Sequence, residues 1–259
     1  MLPGAADRVA PAARAALTRL GLAAVLVGVL AAYMAGHEQL WDASLGWDVA
    51  FIGALLMPAL LALPAVALPL RRVGPLPLGL AFLVLAGGAV VADAWDAGVP
   101  GAFLKLGAVT ALGFLFAGLF ESAVWVAGIA VVIPWIDAWS VWRGPTKHLV
   151  TQRQELFTSF SIPFPVPGEH AAAALGLPDF LFFAVFLASA ARWRLRLPAT
   201  WLAMTLSFGV TMALAAYTDI FGGAGLPALP LLAVGFLAPN LDLLWRRARA
   251  LRRRPFDRD

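Results

Sequence analysis

The chain has 259 residues, of which 61% are hydrophobic and only 13% are charged. Soluble domains are about half apolar and about a quarter charged, so this composition excludes an ordinary soluble fold and favours a bilayer as the solvent. The net charge of +4 comes without a basic patch interleaved with aromatic residues, which argues against a nucleic-acid-binding protein.

No cysteine is present, which excludes disulfides, thiol catalysis and Cys-ligated metal. The three histidines, His37, His148 and His170, lack the i, i+4 spacing of a helical zinc or haem site. We therefore expect neither a metal nor a cofactor.

Eight apolar stretches are long enough to cross a hydrocarbon core, which takes about 20 helical residues. They predict an all-α polytopic membrane protein, a bundle of about eight transmembrane helices, at residues 15–35, 48–70, 76–95, 101–119, 122–142, 170–191, 199–218 and 226–246. The connections are short except for 36–47 and 143–169. Pro58, Pro64 and Pro69 predict a kink in the second span.

Basic residues recur before the first span and after the second, sixth and eighth spans. With eight spans, the four groups fall on one side of the membrane: Arg8, Arg14 and Arg19; Arg71 and Arg72; Arg192, Arg194 and Arg196; and the run 246–254. The positive-inside rule then places both termini in the cytoplasm, and we expect a multi-pass protein of a prokaryotic plasma membrane. The loop 143–169, with Arg143, Lys147 and Arg153, is an exception on the other side. The basic tail could bind anionic lipid, although a topological anchor is the simpler interpretation.

Most of the acidic residues can lie in loops or near the ends of spans, but two cannot: Asp137 in "VVIPWIDAWSVW" and Asp179 in "GLPDF". A charged side chain at mid-bilayer costs on the order of 3 kcal/mol, so such residues usually face a bundle interior or a water-filled cavity. Each aspartate alone fits an interhelical polar clamp equally well. Lys105 and Asp242 lie closer to span ends, and we expect their side chains to snorkel towards water.

Two carboxyl groups that meet in a wet cavity would share one proton. The ionised aspartate could then take a proton from water while the protonated one donates to a peptide carbonyl, which is the chemistry of aspartic proteases. A second hypothesis is a proton-coupled transporter, in which the same carboxyls relay protons. The inverted repeats expected of a transporter are not evident in the sequence.

Three stretches, in order, resemble the presenilin and signal-peptide-peptidase family of intramembrane aspartyl proteases. Trp135–Asp137 resembles the family's Tyr-Asp motif, Gly176–Phe180 resembles Gly-x-Gly-Asp, and residues 227–229 are Pro-Ala-Leu without substitution. The resemblance covers about residues 115–240 and includes Gly144-Pro145 in the loop after the first motif.

The resemblance implies a presenilin-like bundle, normally of nine spans, with Asp137 and Asp179 as the catalytic pair and no cofactor. It implies a site shaped by five further residues: Gly176, Pro178, Pro227, Ala228 and Leu229. The substrates would be transmembrane peptides or remnant signal peptides within the lipid bilayer. The chain then divides into scaffold helices over 1–120, a catalytic region over 121–246 with the 143–169 loop, and a basic cytoplasmic tail over 247–259.

Two departures from the family pattern keep a third hypothesis open. Ile136 replaces the family's Tyr, and Pro178 replaces the second Gly of Gly-x-Gly-Asp. A non-catalytic homologue that binds transmembrane helices without cutting them would tolerate both changes. Pro163, Pro165 and Pro167 predict an extended segment before the second motif, which could either pair with an unwound substrate or act as a stiff linker.

Overall fold

The structure is a computed structural model that describes residues 5–143, 159–169, 172–218 and 226–252. It is mostly helical. The α-helices are α1 Ala5–Gly36, α2 Leu45–Phe51, α3 Met57–Ala67, α4 Pro75–Ala94, α5 Gly98–Gly118, α6 Ala123–Arg143, α7 Leu177–Arg192, α8 Leu197–Tyr217, α9 Leu229–Leu237 and α10 Leu241–Arg252. Two short strands, β1 Ser161–Pro165 and β2 Ala172–Gly176, lie before α7.

Six helical stretches are long and apolar enough to cross a membrane: Arg14–Gln39, Leu45–Arg72, Pro75–Ala94, Gly98–Gly118, Ala123–Trp142 and Leu197–Tyr217. Large apolar side chains on these helices are exposed, as expected where lipid replaces water; Leu83 is 64% exposed and Val84 is 72% exposed. The chain is therefore a membrane-embedded helical protein. The predicted count of eight spans is not confirmed.

The sixth and eighth predicted spans differ from their expected form. Residues 172–176 form a strand, so α7 begins only at Leu177 and has 16 residues. In the last stretch, α9 has nine residues and passes through a 3₁₀ turn, Ala238–Asn240, into the amphipathic α10. The expectation of a helix over 170–191 is thus wrong at its start, because pairing with β1 draws residues 172–176 into a sheet.

The second span is helical throughout but irregular at the predicted place. A π-helical turn, Ile52–Leu56, separates α2 from α3, and Pro58 lies in the first turn of α3. Pro64 lies inside α3, and the stretch ends in a 3₁₀ turn, Leu68–Arg72, which contains Pro69. The prolines therefore mark changes of helix type along one continuous span.

Helix α7 lies at the centre of the bundle, where nine of its residues, from Phe180 to Ala190, are buried. It packs on α5 at Gly113, where an added Cβ would lie 2.6 Å from the Ala184 Cβ. Helix α9 packs on α8 in the same way, because an added Cβ at Gly235 would lie 2.7 Å from the Ser207 Oγ. Small residues at these crossings let the helix backbones approach closely, as is typical of membrane bundles.

The side chain of Lys105 does not snorkel, contrary to expectation. It is 9% exposed and its Nζ lies 3.0 Å from the Asp93 Oδ1, so the pair joins α4 to α5. The tight connection between these helices brings the last turn of α4 opposite the second turn of α5, which the sequence pattern does not reveal. Asp242, in contrast, is 44% exposed and makes a bidentate ion pair with Arg196.

Arginines from all four predicted basic groups meet at one end of the bundle, which we call the basic end. Arg19, Arg71 and Arg194 line one cavity there. Arg247 from the fourth group donates to the backbone oxygen of Trp193, 2.5 Å away, at the end of α7. Among the described residues, arginines of all four groups therefore lie at one end of the bundle, and the side of the membrane that this end faces stays a prediction.

Candidate active site

Asp137 lies in the second half of α6, and its half-buried carboxylate contacts the start of α9. The backbone N–H of Leu229 donates to the Asp137 Oδ2 over 3.1 Å. Leu229 is the first residue of α9, and the first N–H groups of a helix have no partner within the helix. The helix start also carries a partial positive charge, which favours a carboxylate at this position.

The Pro-Ala-Leu stretch is held rigidly where it meets Asp137. Pro227, Ala228 and Leu229 are all buried, and Ala228 and Leu229 are each 3% exposed. Helix α9 also packs on both α6 and α8. Because the donor belongs to the backbone, its direction is determined by how α9 begins and does not depend on a side-chain rotamer.

Asp179 is the third residue of α7 and is half-buried. Its carboxylate lies beside Gly176, the residue before the helix, because a Cβ added at Gly176 would lie 3.4 Å from the Asp179 Oδ2. An acidic side chain at the third helical position commonly reaches back towards the residue that caps the helix. The local sequence therefore holds the Asp179 side chain against its own helix start.

Pro178 fits this geometry. It is the second residue of α7, where the backbone N–H has no acceptor within the helix, so proline sacrifices no hydrogen bond there. Gly176 has φ −65° and ψ 145°, a conformation open to any residue. Pro178 is thus compatible with the helix start that carries Asp179.

The two aspartates lie on helices that contact each other. Helix α6, which carries Asp137, contacts α7, which carries Asp179, and both helices contact α9. Ile136, in contrast, is 55% exposed and Trp135 is 76% exposed, so both face away from the bundle. Ile136, where the resemblance would place a Tyr, therefore lies on the surface.

The strand pair leads directly into the helix that carries Asp179. β1 and β2 are antiparallel, with Ser161 opposite Gly176 and Pro165 opposite Ala172, and β2 passes directly into α7. The N–H of Leu177 donates to the Phe160 oxygen over 2.9 Å, so by strand alternation Pro163 and Pro165 lie on the outer edge of β1. The outer edge of β1 therefore has no N–H donor at either proline, whereas the residues on the outer edge of β2 are not prolines.

The far end of this hairpin is anchored to α1. The Tyr33 hydroxyl donates to the Pro165 oxygen over 2.6 Å, and the Gly168 N–H donates to the His37 oxygen over 2.8 Å. Gly168 has φ +74°, and an added Cβ would lie 2.7 Å from the backbone nitrogen of Asp42. Only glycine fits this turn, since both the backbone conformation and the space exclude a side chain.

A row of stacked aromatic rings packs around the start of α7, and sequence reasoning did not predict it, because a high content of Phe does not show which rings meet. Phe164 of β1 stacks on Phe180 of α7 at 6.2 Å, and Phe180 stacks on Phe208 of α8 at 6.0 Å. All three are at most 1% exposed. Ring contacts at these distances contribute about 0.5–1.5 kcal/mol each beyond their buried area. They hold the strand pair, Asp179 and α8 as one unit.

Within the described residues, no group of three or more His, Cys, Asp or Glu side chains is arranged to hold a metal ion. What the site offers is two carboxyl groups on contacting helices, a backbone N–H that donates to one of them, and partial access for solvent. Such a pair can take one proton and give another in a single step. Three features of the sequence analysis lie outside the described residues: Gly144-Pro145, His148 and His170.

No protein-family model, curated protein or solved structure matches the chain. The presenilin-like resemblance therefore remains a prediction that rests on the motifs.

Proposed function

We propose that the chain is an intramembrane aspartyl endopeptidase, in which Asp137 and Asp179 hydrolyse peptide bonds of transmembrane segments or remnant signal peptides. The observation that carries this proposal is the hydrogen bond from the Leu229 N–H to the Asp137 carboxylate, between residues 92 positions apart. It joins the first and third motifs, and α7, which carries Asp179 of the second motif, contacts both α6 and α9.

The reaction uses one proton shared between the two carboxyl groups. The ionised aspartate takes a proton from water, whose oxygen bonds to the carbonyl carbon of the substrate, while the protonated aspartate donates to the carbonyl oxygen. In the second step, the first aspartate gives its proton to the amide nitrogen while the second takes a proton from a hydroxyl group of the intermediate. The C–N bond then breaks, and a carboxylic acid and an amine are released. The Leu229 N–H keeps the Asp137 carboxylate in one orientation throughout.

The substrate must present an extended segment, because the peptide bonds of a transmembrane helix are shielded by their own hydrogen bonds. The outer edge of β2, at Ala172 and Ala174, is suited to such a segment, since strand addition satisfies the substrate backbone once its helix unwinds. The prolines of β1 close the opposite edge of the sheet. A bound strand would lie directly before Asp179.

The proposed topology sets the direction of the substrate. With the basic end in the cytoplasm, both termini are cytoplasmic, and the 143–169 loop lies on the opposite side. This arrangement favours substrates whose N-terminus is cytoplasmic. The membrane would be a prokaryotic plasma membrane.

The test is cleavage of a model transmembrane peptide by the purified full chain in detergent micelles. Wild type should cut the peptide, and Asp137→Asn and Asp179→Asn should each abolish the product while still binding the peptide. Asp42→Asn is the matched control, because Asp42 is exposed and lies outside the site. Cleavage that survives either active-site change contradicts the assigned roles.

The purified protein also distinguishes the proposed protease from a non-catalytic homologue and from a proton-coupled transporter. A non-catalytic homologue would bind the peptide in wild type and release no product. A proton-coupled transporter would move protons into liposomes in a solute-dependent way and leave the peptide intact.

A further inference from the structure

Five arginines surround two adjoining cavities at the basic end; we call the set Arg19, Arg71, Arg72, Arg192 and Arg194 the arginine basin. The larger cavity, of about 530 Å³, is lined by all of them except Arg192. The second, of about 420 Å³, is lined by all of them except Arg19. None of the described residues that line either cavity is acidic.

The arginines of the basin have few hydrogen-bond partners in the protein. Arg71 donates to the Leu68 oxygen, and Arg192 donates to the backbone oxygens of Ala117 and Gly118, each over 3.0–3.2 Å. Among the described residues, Arg19, Arg72 and Arg194 have no hydrogen-bond or ion-pair partner. Like charges placed together without a carboxylate repel one another, and an anion between them would remove that repulsion.

Arg194 is kept at a backbone position that favours glycine. It has φ +48°, and it follows the end of α7 in the turn closed by the bond from the Leu195 N–H to the Ala190 oxygen, 2.9 Å long. This is the helix-terminating motif in which glycine is the usual residue, because a Cβ is strained at positive φ. An arginine thus stands where glycine is the usual residue, and its side chain lines both cavities.

We propose that the arginine basin binds the phosphate headgroup of an anionic phospholipid. Guanidinium groups match phosphate oxygens with two parallel hydrogen bonds, and basic pockets between transmembrane helices bind anionic headgroups. Apolar side chains for the acyl chains lie next to the basin: Leu20, Leu70 and Val73 are 67%, 55% and 50% exposed. A lipid satisfies both surfaces, whereas a free phosphate ion satisfies only the first. This site is separate from the two aspartates and does not depend on the proposed proteolysis.

The test compares phosphatidylglycerol with phosphatidylcholine, each added to the purified full chain in detergent micelles. The readouts are the thermal unfolding midpoint and the number of bound lipids by native mass spectrometry. Wild type should bind phosphatidylglycerol about tenfold more tightly than phosphatidylcholine. Equal binding of the two lipids by wild type overturns the proposal.

The decisive variant is Arg194→Gly, because glycine relieves the backbone strain while removing the guanidinium. Without phosphatidylglycerol, the thermal unfolding midpoint of Arg194→Gly should equal or exceed that of wild type. Its affinities for phosphatidylglycerol and phosphatidylcholine should become nearly equal. Asp96→Gly is the backbone control, since Asp96 has φ +52° in the same kind of turn after α4. It should keep the full preference.

Arg246→Gln is the charge control, because Arg246 is exposed and does not line either cavity. An equal loss of preference in Arg246→Gln and Arg194→Gly would mean general attraction to the basic end and would overturn a specific site. Inorganic phosphate is added in a separate arm. If it stabilises wild type as strongly as phosphatidylglycerol at equal concentration, the ligand is a soluble phosphate and the lipid assignment is wrong.

Discussion

The backbone N–H of Leu229 lies 3.1 Å from the Asp137 Oδ2 and donates a hydrogen bond to it. The contact turns the start of α9 into part of the site around Asp137. It also explains physically why a Pro-Ala-Leu stretch belongs with an acid in another helix, since the stretch begins a helix whose first N–H groups are free. In the proposed protease, this bond orients one of the two catalytic carboxyl groups.

Replacing Leu229 by Pro removes this N–H while keeping a residue that is tolerated at a helix start. A hydrogen bond to a charged group contributes about 1.5–3 kcal/mol, so we expect Leu229→Pro to lower kcat about ten- to a hundredfold. Leu229→Met is the matched control, because it keeps the N–H and nearly the same volume. Equal rates of peptide cleavage by the two variants would show that the bond has no catalytic role.

Changing Pro178 to Ala should leave activity within about threefold of wild type, because the second position of α7 requires neither a missing N–H nor a positive φ. Stability should fall by about 0.4–1 kcal/mol through the freer unfolded chain. Both effects are measured on one preparation, by peptide cleavage and by denaturant unfolding. A large loss of activity at unchanged stability would assign Pro178 a direct role in binding the substrate.

Gly113→Ala should destabilise the protein by about 1–3 kcal/mol, because the new Cβ would lie 2.6 Å from the Ala184 Cβ and force α5 away from α7. Since α7 carries Asp179, activity should fall as well. Gly87→Ala in α4 is the control, because no atom lies within 4 Å of the added Cβ and alanine is the better helix former. The free energy of unfolding of both variants is measured in the same detergent. Equal changes in the two variants would contradict close packing of α5 on α7 at Gly113.

Asp93→Ala should destabilise the protein by about 2 kcal/mol, since it deprives the buried Lys105 of its carboxylate partner. This value is below that of a fully buried pair because a third of Asp93 is exposed. Adding Lys105→Met to Asp93→Ala should restore much of the loss, because the double variant buries no charge. Thermal unfolding of the single and double variants measures the difference, and a further loss in the double variant would contradict it.

The long spans could be predicted from the sequence within a few residues, because membrane helices are set by local apolar length and by flanking arginines. The prediction over 76–95, for example, corresponds to Pro75–Ala94. Strand β2 could not be predicted in this way. Its residues Ala172–Gly176 are Ala-rich and read as helix, and they become a strand only because Ser161–Pro165 pairs with them.

The candidate site, too, could be predicted only in part. Asp137 and Asp179 could be singled out because acids are costly in an apolar stretch. Their surroundings could not, since the Leu229 N–H reaches Asp137 across 92 positions and the approach of Asp179 to Gly176 depends on where α7 begins. Lys105 was misjudged for a similar reason, because its partner Asp93 belongs to the preceding helix.

The absence of native cysteine allows a direct measurement of whether the two aspartates share one site. The double variant Asp137→Cys/Asp179→Cys, in native membranes, is treated with a short bifunctional thiol reagent and digested in the 143–169 loop to separate the two halves. The account predicts that the halves stay covalently joined, while Asp42→Cys/Asp179→Cys, with one thiol outside the site, leaves them separate. Separate halves in the Asp137/Asp179 double variant, with both thiols shown to react, would contradict a shared site and with it the proposed protease.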